Sequence, residues 1–384
     1  MKVRGYFSRR AGFAADRVTL PSTPPPTVEE ALGSGAFLLE QAGIESARLD
    51  AECLLGHALS LPRWRLAAAP QRRLSPEAFV AYLSLLERRE RREPLAYLVG
   101  GREFWSLPLA VSRNVLVPRP ETETVVEVAL AVCYGTDPLG LEPSAERRAP
   151  SAKRQAPSAE RRAPGTGDGG RPSPSNRESR LAAGSASRRG GTSTANLEPR
   201  TWNLKPETSN LLIVDLCTGS GAIAIALARE LPSATVLASD ISWRALRVAR
   251  ANAAEQGVAE RITFLRGSVW RAVAGALGDR QADVVAANPP YIPSGRIPAL
   301  MPEVRWEPRR ALDGGPDGLA IIRDIVAGAP QHLRPGGVLL LEVGADQGNA
   351  VTAMLGIAGA FEAWRVVPDL AGLDRVVVAR RRGK

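Results

Sequence analysis

Apolar residues recur at helical spacing through the first third of the chain and at strand spacing through the last half. Thr27-Val28-Glu29-Glu30 opens the first helical stretch with the signature of a capping box, Thr27 placed to cap and Glu30 to reach back. A second helix fits residues 46–59. A third starts where Ser75 can cap and Pro76 takes the first helical position. Its Phe79, Tyr82, Leu83 and Leu86 fall at i, i+3, i+4 and i+7, one apolar stripe. The run Arg88-Arg89-Glu90-Arg91-Arg92 that ends it reads as a solvated face. Residues 97–101 and 107–111 then read as two short strands around Arg102-Glu103-Phe104-Trp105, a β-hairpin, and helix signals return over 120–132.

From Leu211 the pattern alternates. Short, nearly continuous apolar runs at 211–216, 235–239, 262–265, 283–287 and 338–343 predict strands. Helical periodicity predicts helices at 221–231, 242–256, 318–333 and 347–355. In the third of these Leu319, Ile322, Val326, Ala329 and Leu333 share a face. Residues 361–366 and 375–379 read as a closing pair of strands. Strands apolar on both faces, alternating with helices, describe a mainly parallel sheet covered on both sides, a doubly wound α/β domain.

Between the halves lies a segment that cannot build a core. Pro143-Ser144-Ala145-Glu146-Arg147-Arg148-Ala149 is followed by near copies starting at Pro150 and Pro157, and then by Gly, Ser, Arg and Pro in no period. The seven-residue repeat has no apolar seam, so it is not a coiled coil. The expected organisation is a disordered extension at 1–26, a helical domain at 27–93 and a hairpin linker at 94–118. The α/β domain takes 119–136 and 209–384, and a disordered low-complexity insertion takes 137–208. Lengthening a flexible loop costs only about 0.6 kcal/mol per doubling, so such an insertion is compatible with folding.

The net charge of +10 suggests a nucleic-acid partner until it is mapped. Residues 1–27, 136–210 and 380–384 hold +4, +5 and +4, which leaves the remainder near −3. The basicity sits in flanks and insertion rather than on a folded reading surface. No window approaches the roughly 18 uninterrupted apolar residues of a membrane helix. Cys53, Cys133 and Cys217 are odd in number and without metal spacing, as expected in a reducing cytoplasm. His57 and His332 lie apart in helical stretches, where packing explains them better than metal binding.

Two motifs carry chemistry. Asp215, Leu216, Cys217, Thr218, Gly219, Ser220 and Gly221 form a strand end, a glycine turn and a helix start, which lets backbone approach a ligand. Asp240 ends the next strand, where a carboxylate can accept from both hydroxyls of a ribose. Alone these are ambiguous: 219–224 also satisfies the nicotinamide-dinucleotide pattern, while Asp215 suits the amine of S-adenosylmethionine. No phosphate-binding GxxxxGK[ST] occurs. The second motif, Asn288-Pro289-Pro290-Tyr291, follows the fourth strand and faces the glycine loop across the crevice where strand order reverses. The Asn288 side-chain oxygen and the Pro289 carbonyl can accept two N–H bonds from a planar amino or amide group, the two prolines stiffen the loop, and Tyr291 can cover the group. This points to methyl transfer onto planar nitrogen and leaves a hydride-transfer reading with an unexplained motif.

With these motifs in place the chain resembles the HemK/PrmC family of N5-glutamine methyltransferases acting on peptide chain release factors. The resemblance covers about 27–133 and 211–380. It is carried also by residues 42–52, Glu93-Pro94-Leu95-Ala96-Tyr97, Arg102-Glu103-Phe104-Trp105, residues 115–123, Glu307-Pro308-Arg309 and Ala311-Leu312-Asp313-Gly314-Gly315. It implies a Rossmann-like, seven-stranded class I methyltransferase domain behind a helical domain that helps hold the release factor. S-adenosyl-L-methionine would be the donor and the glutamine of the Gly-Gly-Gln loop the acceptor, with no membrane, metal or nucleic acid required. By motif match, residues 217–221 would line the cofactor, Asp240 its ribose, and 288–291 the glutamine amide, with Asn288 also touching the cofactor. Cys217 stands where the family usually has glycine. Ser268, followed by Val269, stands where it often has an aspartate near the adenine amine. Amino methylation of adenine or guanine in DNA or RNA is the alternative that the same acceptor motif allows.

Overall fold

The computed structural model describes residues 25–135 and 210–383; the expectations for residues 1–24 and 137–208 lie outside them. Four helices come first: α1 (Val28–Gln41), α2 (Ala47–Leu59), α3 (Arg63–Ala68) and α4 (Pro76–Glu90). The capping box at Thr27 is formed: its hydroxyl accepts from the Glu30 amide at 3.3 Å, and the Glu30 carboxylate accepts from the Thr27 amide at 2.8 Å. Ser75 caps α4 by accepting from the Ala78 amide at 3.2 Å. The α4 stripe buries Phe79, Tyr82 and Leu86 against Leu32, Leu39, Leu54 and Leu55. Gly35 makes this crossing possible, because a Cβ there would sit 2.0 Å from the Tyr82 hydroxyl.

The basic end of α4 departs from expectation. Arg89 is buried, donating to Asp50 at 2.7 Å and to Glu303 at 3.0 Å. Arg92 donates to the same Glu303 at 3.1 Å, and Arg88 to Glu93 at 2.7 Å. A run read as solvated is an ion-pair cluster joining the helical region to a loop more than 200 residues later.

The hairpin also shifts. Residues 95–99 form a short helix, α5 (Leu95–Val99), ended by Gly100 at φ +77°. The strands are β1 (Gly101–Phe104) and β2 (Leu107–Ala110). The turn is Trp105-Ser106, both in the left-handed region at φ +53° and +56°. Two-residue hairpin turns of that hand favour Asn and Gly, so Trp-Ser gives no turn signal, and the strand was mistaken for the connection. After a 3₁₀ turn at Pro120–Thr122 comes α6 (Glu123–Cys133).

The second half builds one seven-stranded sheet from β3 (Leu212–Leu216), β4 (Thr235–Asp240), β5 (Ile262–Arg266), β6 (Ala282–Ala287), β7 (Leu333–Glu342), β8 (Phe361–Pro368) and β9 (Asp374–Arg381). Their order is β5-β4-β3-β6-β7-β9-β8, with β9 antiparallel to both neighbours and the other pairings parallel. The connecting helices are α7 (Ala222–Glu230), α8 (Trp243–Glu255), α9 (Val269–Leu277), α10 (Ala320–His332) and α11 (Gly348–Ala358). Helix α9 and the 3₁₀ turns between 294 and 311 are elements the periodicity does not announce. The predicted α10 stripe is buried from Leu319 to Leu333 within the larger core. His332 stacks on Trp270 with ring centroids 4.4 Å apart, and among the described residues no His, Cys, Asp and Glu cluster could hold a metal.

What positions the site is the middle of the sheet. Strands β3 and β6 are neighbours, though they are first and fourth in chain order, and the chain leaves them in opposite directions. The loops at their carboxyl ends therefore diverge and leave a crevice.

Candidate active site

A cavity of about 360 Å³ opens at that crevice. Cys217 and Gly219 of the glycine loop, Asp240 at the end of β4, Ser268 and Val269 at the start of α9, and Asn288 and Pro290 after β6 all reach its wall. Asn114, Val115 and Leu116 from the linker and Arg310 from the later loop complete it. Residues from six separate parts of the chain thus meet in one place. Thr218, Ser220, Gly221, Pro289, Tyr291 and Asp215 belong to the same loops and strand end without lining the cavity itself.

Asp215 is not on the wall, contrary to what its sequence position suggests. Strand alternation turns its side chain to the face covered by α7, where it is fully buried. Its Oδ2 accepts from the Thr218 hydroxyl at 2.5 Å and from the Ala224 amide at 3.2 Å. Gly221, the N-terminal flank of α7, has no side chain to cap that helix, and Asp215 supplies the acceptor instead. Burial pushes its carboxyl up to about 7, against the hydrogen bonds from Thr218 and Ala224. Asn252 on α8 ties the glycine loop to the hairpin: its amide donates to the carbonyls of Ser220 at 2.9 Å and Ala110 at 3.0 Å, and accepts from the Ala110 amide at 2.8 Å.

Asp240 faces the cavity as expected of a ribose partner. Its carboxylate accepts from the Gly219 amide at 3.0 Å and the Ser242 amide at 2.7 Å. A carboxylate has about four acceptor sites, so two remain for a diol. Burial raises its pKa, while those amides and Arg310 oppose the rise. The Ser268 hydroxyl makes no cap bond to α9, and Ser268 lines the cavity. Val269 holds φ +43°, an outlier for a β-branched residue, at the same wall. The free acceptors of Asp240, Ser268 on the wall and the closely approaching backbone at 217–219 suit a nucleoside carried on a short chain.

Cys217 adopts φ +61°, a conformation glycine takes freely and other residues take at a cost of roughly 1–2 kcal/mol. Its thiol is pushed far above its ordinary range by burial, so it stays neutral. A Cys217→Gly enzyme is therefore expected to gain about 1 kcal/mol of stability. A denaturant midpoint that rises at unchanged slope checks this; an unchanged or lower midpoint contradicts the strain.

The acceptor loop is held rigidly. The Asn288 amide nitrogen donates to the Thr122 hydroxyl at 3.1 Å, and the Tyr291 hydroxyl to Glu342 at 3.3 Å. The Tyr291 carbonyl accepts from Gln347 at 2.9 Å. Residues 312–314 run beside the loop through paired backbone bonds to Ile292. A Cβ at Gly314 would stand 2.7 Å from the Pro290 carbonyl, and one at Gly318 would stand 2.3 Å from that of Tyr291. That close approach explains the glycines that follow Asp313. Glu307 is buried and braces the linker, accepting from the Val117 amide at 3.2 Å and pairing with Arg119. Burial raises its pKa against the Arg119 charge. Sequence reasoning overlooked Thr122 and Glu342. An acid following the apolar run Leu339-Leu340-Leu341 was the available signal, the same one that marks Asp240.

Comparison with known proteins agrees in both halves. Residues 30–100 match the family model described as PrmC N-terminal domain, and residues 202–300 match the one described as Methyltransferase small domain. The chain is 38% identical over 356 residues to a release factor glutamine methyltransferase of Moorella thermoacetica, an alignment covering 93% of this chain and 99% of that protein. Proteins of the same name from Cereibacter sphaeroides (36%, covering 91% and 97%) and Geobacter sulfurreducens (34%, covering 92% and 96%) are similarly close.

Proposed function

The chain belongs to the release factor glutamine methyltransferase family, and from that premise we propose that it methylates the side-chain amide nitrogen of the glutamine in the Gly-Gly-Gln loop of peptide chain release factors. S-adenosylmethionine supplies the methyl group from its sulfonium. In this reading Asp240 holds the ribose, Ser268 and Val269 border the adenine, and the backbone at 217–221 approaches the methionyl part. Asp215, Thr218, Ser220 and Gly221 act from behind by fixing that loop.

The observation that carries the reading is the joint placement of Asn288 and Asp240 on one cavity wall. An amide nitrogen is a weak nucleophile because its lone pair is delocalised, so the residues must orient it for in-line displacement rather than deprotonate it beforehand. The Asn288 oxygen and the Pro289 carbonyl accept its two N–H groups and place negative potential where positive charge develops. The proton leaves afterwards, since the methylated cationic amide is acidic. Pro290 and Tyr291 wall the group in.

The partner is a protein and the reaction needs no nucleic acid. The enzyme works in the cytoplasm in this reading, where Cys53, Cys133 and Cys217 stay free thiols; among the described residues no helix is long and apolar enough to cross a membrane. Incubating the protein with radiolabelled S-adenosylmethionine and, separately, release factor, DNA or RNA is the direct test. Label is expected in the release factor and to disappear when its Gly-Gly-Gln glutamine is replaced. Label in nucleic acid alone would favour base amino methylation.

A further inference from the structure

The two ends of an asparagine amide differ only in where the protons are, so its orientation is decided by the proton inventory of its neighbours. Around Asn288 that inventory is short. Thr122 is 4% exposed and Glu342 is 1% exposed, so both lie out of bulk solvent. Ala287 and Leu341 are paired across β6 and β7, which sets Asn288 and Glu342 side by side at the carboxyl ends of these strands. Asn288 Nδ2 lies 3.1 Å from Thr122 Oγ1. Thr122 lies close enough to Glu342 for its side chain to lower the pKa of that carboxyl against burial, and Glu342 Oε1 accepts from Tyr291 at 3.3 Å. The other carboxylate oxygen, Oε2, is buried with no partner among the described residues.

We propose that Glu342 and Thr122 are positioning residues that fix the Asn288 amide with its oxygen toward the cavity, by a one-way chain of hydrogen bonds from Asn288 through Thr122 to the Glu342 carboxylate. An ionised carboxylate only accepts, so the single Thr122 proton is committed to it. Thr122 Oγ1 is left as an acceptor, and only the NH2 end of Asn288 satisfies it. The flipped amide would set its oxygen against an oxygen with no proton to share. The Asn288 oxygen therefore points away from Thr122, free to accept from an incoming amide N–H. The same carboxylate anchors the Tyr291 hydroxyl, so one buried charge sets both polar members of the acceptor motif. The opposing charge comes from Arg375 on β9, whose own ion pair is with Asp369 at 3.0 Å.

This assignment rests on the glutamine-methylation reading, and its test separates the two. The assay measures kcat and KM for release factor, the S-adenosylmethionine dissociation constant and the melting temperature, at pH 8, above the value of about 7 to which burial pushes Glu342. Thr122→Val keeps the shape and loses the hydroxyl; Thr122→Ser keeps the hydroxyl and loses the methyl. A positioning role predicts a kcat lowered roughly 10- to 100-fold in the valine variant, with cofactor affinity unchanged, and serine close to wild type. A packing role predicts the reverse order, valine near normal and serine worse, and that result would overturn the assignment. Glu342→Gln gives the second arm: its amide can donate to Thr122 and release the orientation, so kcat is expected to fall about 10-fold or more at unchanged cofactor affinity. Full turnover in Glu342→Gln refutes the role of the charge even if the valine variant folds poorly. Wild-type enzyme that leaves release factor unlabelled overturns the underlying reading, and this assignment with it.

Discussion

An Asn288→Ala enzyme is expected to bind S-adenosylmethionine nearly as tightly as the wild type and to turn over roughly 10²–10³-fold more slowly. The two halves of that expectation come from different parts of the site. The cofactor's proposed holders, Asp240, Ser268, Val269 and the backbone of 217–219, lie on β4, α9 and the loop after β3, and none takes its position from the Asn288 side chain. The acceptor amide, by contrast, meets Asn288 where the nitrogen gains positive charge. An acceptor oxygen fixed in advance stabilises that charge more than the neutral ground state, so its removal falls on kcat rather than on binding. Isothermal titration with S-adenosylmethionine and steady-state methylation of release factor measure the two quantities separately. Near-normal kcat in the variant would remove the side chain from the reaction. Loss of cofactor binding would mean that Asn288 serves the donor instead.

Much of this arrangement was legible in the sequence, for a physical reason. Strands buried on both faces must be apolar throughout, so β3, β4 and β6 stand out as runs, and what breaks a run at its end is informative. Asp240 and Asn288 are such breaks, and both reach the cavity. Asp215 misleads because spacing along a strand does not reveal which face a side chain takes when both are buried. Glu342 was missed because Val343 continues the apolar run past it, so it does not read as the break that ends the strand. The hairpin turn was hidden by residues that rarely adopt its backbone conformation. Helix α9 was missed although Ser268 stands at its N-cap position; the helix is only nine residues long and that hydroxyl makes no cap bond. The run Arg88–Arg92 shows the deepest limit: consecutive charges usually face water, and only tertiary structure reveals Asp50 and Glu303 waiting for them.

Removing Arg89 is expected to cost about 3–5 kcal/mol of stability, far more than removing a surface arginine. Arg89 is as buried as the core around it, and its guanidinium spans two carboxylates on separate parts of the chain, Asp50 on α2 and Glu303 in the loop after the acceptor motif. In Arg89→Ala, Asp50 at 3% exposure keeps, among the described residues, only the Ser46 hydroxyl, 2.8 Å away, as a partner for its carboxylate. Glu303 keeps Arg92. Its pKa is lowered despite burial, through its own backbone amide, Arg92 and Arg89, and that lowering shrinks when Arg89 goes. Asp50 therefore carries most of the penalty, and Asp50→Asn in the Arg89→Ala background is expected to recover part of it by removing the stranded charge. Arg89→Lys should fall between, since a single ammonium cannot reach both acids with the geometry of a planar fork. Urea denaturation of the four proteins at one pH measures the series. Equal midpoints for wild type and Arg89→Ala would return the cluster to the solvated face that its sequence suggested. Because Glu303 belongs to the segment running from the acceptor loop to Glu307, the same substitution should also raise KM for release factor while leaving S-adenosylmethionine affinity in place.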